Sequence, residues 1–182
     1  MEKCCAVLFQ FESKTSEPQL EHYEEASMVT QEDWRQRCQA FKFVGRRRMK
    51  LAENFSLSEF KCRDGTDVPE EYMDNVKELA ENLQVLREYI QKPIIVISGY
   101  RSPKYNRKIG GARRSQHMLA KAADIIVSGM SPDEVKATIV ELIKEGKMKK
   151  GGIGLYTTFT HYDVRGFNRR WYGTGIKDSQ RS

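Results

Sequence analysis

The chain has little cysteine, and what it has is badly placed for stapling. Its four cysteines are Cys4, Cys5, Cys38 and Cys62. They form no C-x-x-C pair and no regular framework, which argues against a disulfide scaffold and against a cysteine-built structural zinc site. Free thiols of this kind fit synthesis in a reducing cytoplasm. No apolar run approaches the roughly 20 residues of a membrane span. The short CCAVLF run follows Glu2 and Lys3 and is trailed by charge, a poor match to a secretory signal peptide. No internal repeat or low-complexity tract is present. The net charge is +6, with clusters at Arg107, Lys108, Arg113 and Arg114 and at Lys144, Lys147, Lys149 and Lys150. Aromatic residues do not interleave with these clusters, so a single-strand nucleic-acid platform is not indicated. A solvated surface or a face for an anionic polymer such as cell wall remains. Histidine is scarcest among the metal-binding types, with only His22, His117 and His161.

Against these absences stand clear signs of one globular domain. At 182 residues and 39% hydrophobic content the chain suits a single soluble core. Residues 1–48 mix acidic, amide and apolar residues without periodicity. The regular pattern begins abruptly at MKLAENFSLSEF, preceded by Gly45, Arg46, Arg47 and Arg48. A purine-rich ribosome-binding site translated in frame would read as such arginine and glycine codons. Residues 1–48 therefore read as an N-terminal extension, disordered or a mis-called start, ahead of a domain over 49–182. The alternative is a genuine basic linker.

Within that domain, residues 69–91 carry Met73, Val76, Ala80, Leu83, Leu86 and Ile90 at helical spacing. PIIVIS at 93–98 and AADIIV at 122–127 are β-branched, strand-like runs. SPKYNRKI reads as a short helix or turn closed by Gly110 and Gly111. SPDEVKATIVELIKEG has a capping box from Ser131 to Glu134, proline at the first helical position and Gly146 at its end. GGIGLY and THYDVR form a final strand pair joined near Thr157 and Thr158. The expectation is an α+β fold: a small antiparallel sheet with two main helices.

Three residues stand out chemically. His117, Asp124 and His161 offer two imidazoles and a carboxylate, a set that suits zinc with a fourth position open to water. Each has a plainer reading. A lone histidine is more often a hydrogen-bonded structural residue, and an aspartate at a strand end is commonly a turn residue. Asp124 nevertheless opens an apolar strand, where burial is costly unless a cation or hydrogen bonds satisfy it. His161 and Asp163, two apart on a strand, share one face.

SGYRS at 98–102, YNRKIGG at 105–111, SQHMLAKAAD at 115–124, GGIGLY and THYDVRG together resemble the peptidase M15 family. Its members are zinc D-Ala-D-Ala carboxypeptidases and related phage and bacterial peptidoglycan peptidases. The resemblance covers about residues 51–172 and implies the hedgehog/D-Ala-D-Ala-peptidase-like fold. It also implies one zinc per chain on His117, Asp124 and His161, with Arg101 holding a substrate carboxylate and Ser115 beside the first ligand. The implied partner is a peptidoglycan stem peptide, bound by a monomer without specific nucleic-acid binding. The implied route is cytoplasmic synthesis followed by release to the wall, as in phage lysis, or a virion-borne role in entry.

Two positions depart from the family pattern. Ala120 stands where glycine is frequent. Thr158 stands where many relatives carry the acidic general base. Asp163 is the residue on this chain expected to supply that base, unless it orients His161 or Arg165 instead. Tyr100 and Tyr156 are further candidates for lining the cleft. The alternative reading is a non-catalytic zinc-containing wall- or ligand-binding module of the same fold, as hedgehog signalling domains are.

Overall fold

A computed structural model describes residues 49–173 and 175–176. The expectations for residues 1–48, including a start at Met49, fall on or beyond its edge, as do Cys4, Cys5, Cys38 and His22. Cys62 is a free, buried thiol.

The described chain opens with a short hairpin, β1 (Lys50–Ala52) and β2 (Phe55–Ser56). A 3-10 turn, Leu57–Phe60, follows and buries Leu57 and Phe60. Helix α1 (Met73–Ile90) buries Val76, Leu79, Ala80, Leu83 and Leu86, the stripe the spacing requires. It starts later than its sequence pattern because Glu70–Tyr72 form a 3-10 turn. Gln91 ends it in the left-handed region at φ 53°.

Strand β3 (Ile94–Ser98) leads to helix α2 (Pro103–Lys108). The Ser102 hydroxyl caps α2 by accepting from the Tyr105 N–H at 3.1 Å. Strand β4 (Ala122–Val127) is followed by helix α3 (Pro132–Lys144), whose Ser131–Glu134 capping box is present. Gly146, at φ +74°, turns the chain after α3. Strands β5 (Gly152–Leu155), β6 (Thr160–Asp163) and β7 (Arg169–Tyr172) complete the fold.

The main sheet has the order β3-β4-β6-β5-β7. Its first three pairings are antiparallel, but β7 lies parallel to β5. The fold is α+β with a small sheet, as expected, and the sheet is antiparallel except at that one edge pair. The exception comes from RRWY, whose exposed arginines hide the alternation that marks a strand.

Side chains alternate across a strand, so the register sorts them between two faces. Ala123, Ile125, Ile153 and Tyr162 join the core with Val76, Leu83, Ile139 and Leu142 of α1 and α3. Asp124 pairs directly with His161, and Ala122 with Asp163. These carboxylates and the imidazole therefore share the opposite face, away from the helices.

Candidate metal centre and cleft

Strands β4 and β6 set Asp124 against His161, and the 3-10 turn Gln116–Leu119 places His117 above them. That turn closes on Ala120 at φ +52°, a left-handed backbone that favours glycine. All three side chains are buried. Asp124 Oδ1 lies 2.9 Å from His161 Nδ1 and 3.3 Å from His117 Nε2, and the two nitrogens are 3.2 Å apart.

The outer partners decide where the protons sit. His117 Nδ1 is 2.7 Å from the Gly99 carbonyl, which can only accept, so Nδ1 carries the proton and Nε2 is bare. His161 Nε2 is 3.1 Å from Asp163 Oδ2, an ionised acceptor, so the bare nitrogen is Nδ1. Three lone pairs, from His117 Nε2, His161 Nδ1 and Asp124 Oδ1, therefore point at one another. Nothing but a cation or a proton satisfies such a set. Zinc–ligand bonds of about 2.0–2.1 Å imply a tetrahedral edge of about 3.3 Å, close to these separations. The donors present fit zinc.

The titration directions agree with this arrangement. Burial holds the His117 imidazolium form down, below the ordinary histidine value. Burial also acts against a charged His161, but hydrogen bonds to Asp124 and Asp163 outweigh it and raise its value. Asp124 is opposed by its burial, yet the two adjoining imidazoles, whenever a proton or cation lies between them and the carboxylate, keep it below the usual carboxylate range. The cluster thus attracts positive charge between Asp124 and the imidazoles.

Arg101 does not stand free in the cleft. Its Nη2 donates to Asp124 Oδ2, and its Nε donates to Ser98 Oγ at 2.9 Å. Ser115 begins the turn that carries His117 and lines the same cleft, but its hydroxyl makes no capping bond. Tyr156 lines the cleft. Tyr100 does not; it is buried in the core against Tyr72.

The geometry bears on the two roles open to Asp163, base or positioning residue. Its carboxylate is fully buried behind His161, on the nitrogen that faces away from the donor cluster. Arg165 Nε and Nη2 donate to it at 2.7 and 2.6 Å, and the Gly152 N–H donates at 3.0 Å. Burial works against its charge, but hydrogen bonds from His161, Arg165 and Gly152 hold its pKa below the usual range. A carboxylate so committed is a poor acceptor for a water proton at the open side; its position suits orientation of His161. Thr158 is exposed near the β5–β6 turn and is not among the cleft-lining residues.

The cleft over the cluster has a volume of about 600 Å³. Among the described residues its walls include Arg101, Arg114, Arg165, Arg169 and Trp171, with no aspartate or glutamate among them. Trp171 escaped the sequence reading, and Arg165 entered it only as a partner for Asp163, not as a wall of the cleft. The only signal of that wall was GGIG, which the packing now explains. A Cβ at Gly154 would sit 2.5 Å from the Trp171 indole, and one at Gly152 would sit 2.3 Å from Asp163 Oδ2. Both glycines are required by close approach.

Residues 49–163, more than half of the chain, match the Peptidase M15 family. The chain belongs to that family, whose peptidases are zinc-dependent. No curated protein matches it.

Proposed function

We propose that this protein is a zinc peptidase that cleaves peptidoglycan stem peptides, as a D-Ala-D-Ala carboxypeptidase or an endolysin-type endopeptidase. The observation that carries the reading is the convergence of three bare lone pairs, one from the Asp124 carboxylate, on the floor of a cleft walled by arginines. Bound zinc would polarise the scissile carbonyl and lower the pKa of water towards about 7. His117, Asp124 and His161 hold the ion. The Gly99 carbonyl and Asp163 fix the two imidazole tautomers and aim the bare nitrogens inward. Arg101 steadies Asp124 and retains guanidinium N–H groups beyond its two bonds, enough to grip a substrate carboxylate. Ser115 lies beside the first ligand, where its hydroxyl is available to substrate. The protein acts as a monomer, made in the cytoplasm and released to the wall.

The deciding experiment is digestion of purified peptidoglycan with zinc-loaded and chelator-treated protein, followed by mass analysis. New stem-peptide fragments only with zinc would support the reading and identify the bond cleaved. One observation favours a second reading, a zinc-containing binding module: among the described residues, no carboxylate besides the ligand Asp124 adjoins the cleft to act as general base. Retention on peptidoglycan without any new fragment would select it.

A further inference from the structure

We propose that Tyr156 is a catalytic hydrogen-bond donor, aimed by Trp171 at the carbonyl oxygen that gains charge during peptide cleavage. The proposal rests on the peptidase reading above and adds a residue to it. Trp171 Nε1 lies 3.2 Å from the Tyr156 hydroxyl oxygen. An indole N–H can only donate, so the phenolic oxygen is the acceptor in this bond. The phenolic proton must then point elsewhere, and Tyr156 borders the open cleft.

The pair adjoins the metal-ligand cluster. The Trp171 ring is 4.9 Å from the His161 ring, centroid to centroid. The other face of the arrangement is fixed by packing. Tyr156 stacks on Phe159 at 4.3 Å with rings 13° apart. Two glycines make room for the pair, Gly173 for Tyr156 and Gly154 for Trp171. A Cβ at Gly173 would lie 2.1 Å from the Tyr156 ring, and one at Gly154 would overlap the Trp171 indole. Neither glycine has a positive φ, so each is needed for space rather than for backbone freedom. A tyrosine seated against Gly173, stacked on Phe159 and bonded at its tip to a tryptophan itself seated on Gly154, loses little freedom when it donates.

The chemistry also needs such a group. Negative charge develops on the carbonyl oxygen as water attacks, and preorganised donors stabilise it best where water is excluded. Of the cleft arginines, Arg101 and Arg165 are already paired with Asp124 and Asp163. A neutral phenol adds a donor without competing for those carboxylates.

Tyr156→Phe keeps the ring, its stack and its seat against Gly173, so folding and zinc content should be unchanged. On muropeptide, kcat should fall about 10²–10³-fold with KM nearly constant, the loss typical of one donor to a developing oxyanion. A phosphinate analogue of D-Ala-D-Ala, whose tetrahedral oxygens mimic that charge, should bind the zinc-loaded variant more weakly, while the carboxylate product binds both proteins alike. Trp171→Phe, which leaves the phenol unaimed, should produce a smaller loss of the same kind. Wild-type turnover matched by Tyr156→Phe would overturn the proposal, as would failure of the wild type to bind the phosphinate. Phosphinate binding weakened in the variant, but with no wild-type turnover, would support the donor while refuting the peptidase reading.

Discussion

The role of Asp163 separates positioning from proton transfer at a single residue. Asp163→Asn removes the charge that holds both His161 Nε2–H and the Arg165 fork. Zinc affinity should fall about 10–100-fold, the usual effect of losing a partner behind a ligating histidine. The domain should also lose on the order of 1–3 kcal/mol, because Arg165 is left without its carboxylate. Metal competition and thermal melts read both. A variant that kept native zinc affinity and melting temperature yet lost turnover would return Asp163 to the role of base. The pH dependence has a definite sign. Asp163 is lowered in the fold, so its stabilisation is present above the unfolded value of about 3.9 and disappears as pH falls through the folded value. The gap between wild type and Asp163→Asn should therefore narrow below about pH 4. Ala120 makes a contrasting case. Its φ of +52° costs about 1–2 kcal/mol relative to glycine. Glycine there would give up about 0.5–1 kcal/mol of chain entropy and about 0.8 kcal/mol of buried methyl. Ala120→Gly should melt within a few degrees of wild type with unchanged zinc affinity; a large gain would mean the methyl contributes nothing.

Among the elements, those legible in the sequence carry their own local signals. Helices α1 and α3 were marked by apolar periodicity, and α3 also by its capping box and terminal glycine. Strands β3 and β4 were marked by β-branched runs bounded by turn residues. The ligand set could be read because its residue types and motif order are specific, but its geometry could not. Which nitrogen of each histidine is bare depends on Gly99 and Asp163, placed by tertiary register. Strand β7 was illegible because its arginines face outward and its parallel partner lies across a connection. Yet β7 carries Trp171, and its seat depends on Gly154 in β5. Gly154→Ala would drive a methyl into the indole at 2.5 Å. Overpacking of this kind should cost about 1–3 kcal/mol, and it should displace Trp171 before it disturbs α1 or α3. Tryptophan fluorescence shifted with helical circular dichroism retained would match; an unchanged emission spectrum and melting curve would show that β5 and β7 part without strain.

Across the whole molecule, the division of the sheet into two faces couples metal to folding. One face buries Ile125, Ile153 and Tyr162 under the helices, while the other holds a buried cluster of like-polarity acceptors. Without a cation, His117 Nε2, His161 Nδ1 and Asp124 Oδ1 crowd together at a cost that only a proton relieves. The native register assembles these donors from three separate segments, so an ion held by them should stabilise the fold by mass action. At free zinc 100 times the dissociation constant, the gain is about 2.7 kcal/mol, which for a domain of this size is roughly 10 °C in melting temperature. Chelation should remove that increment, and His117→Ala should melt alike with and without zinc. The increment should also shrink as pH falls through the His161 value, which lies above the ordinary histidine value of about 6.5, because ligation requires neutral imidazoles and protons then compete for the same lone pairs. A differential scan across zinc concentration at pH 7.5 and 5.5 reads all three effects. A zinc-independent melting temperature at pH 7.5 would show that the three donors do not form a metal site.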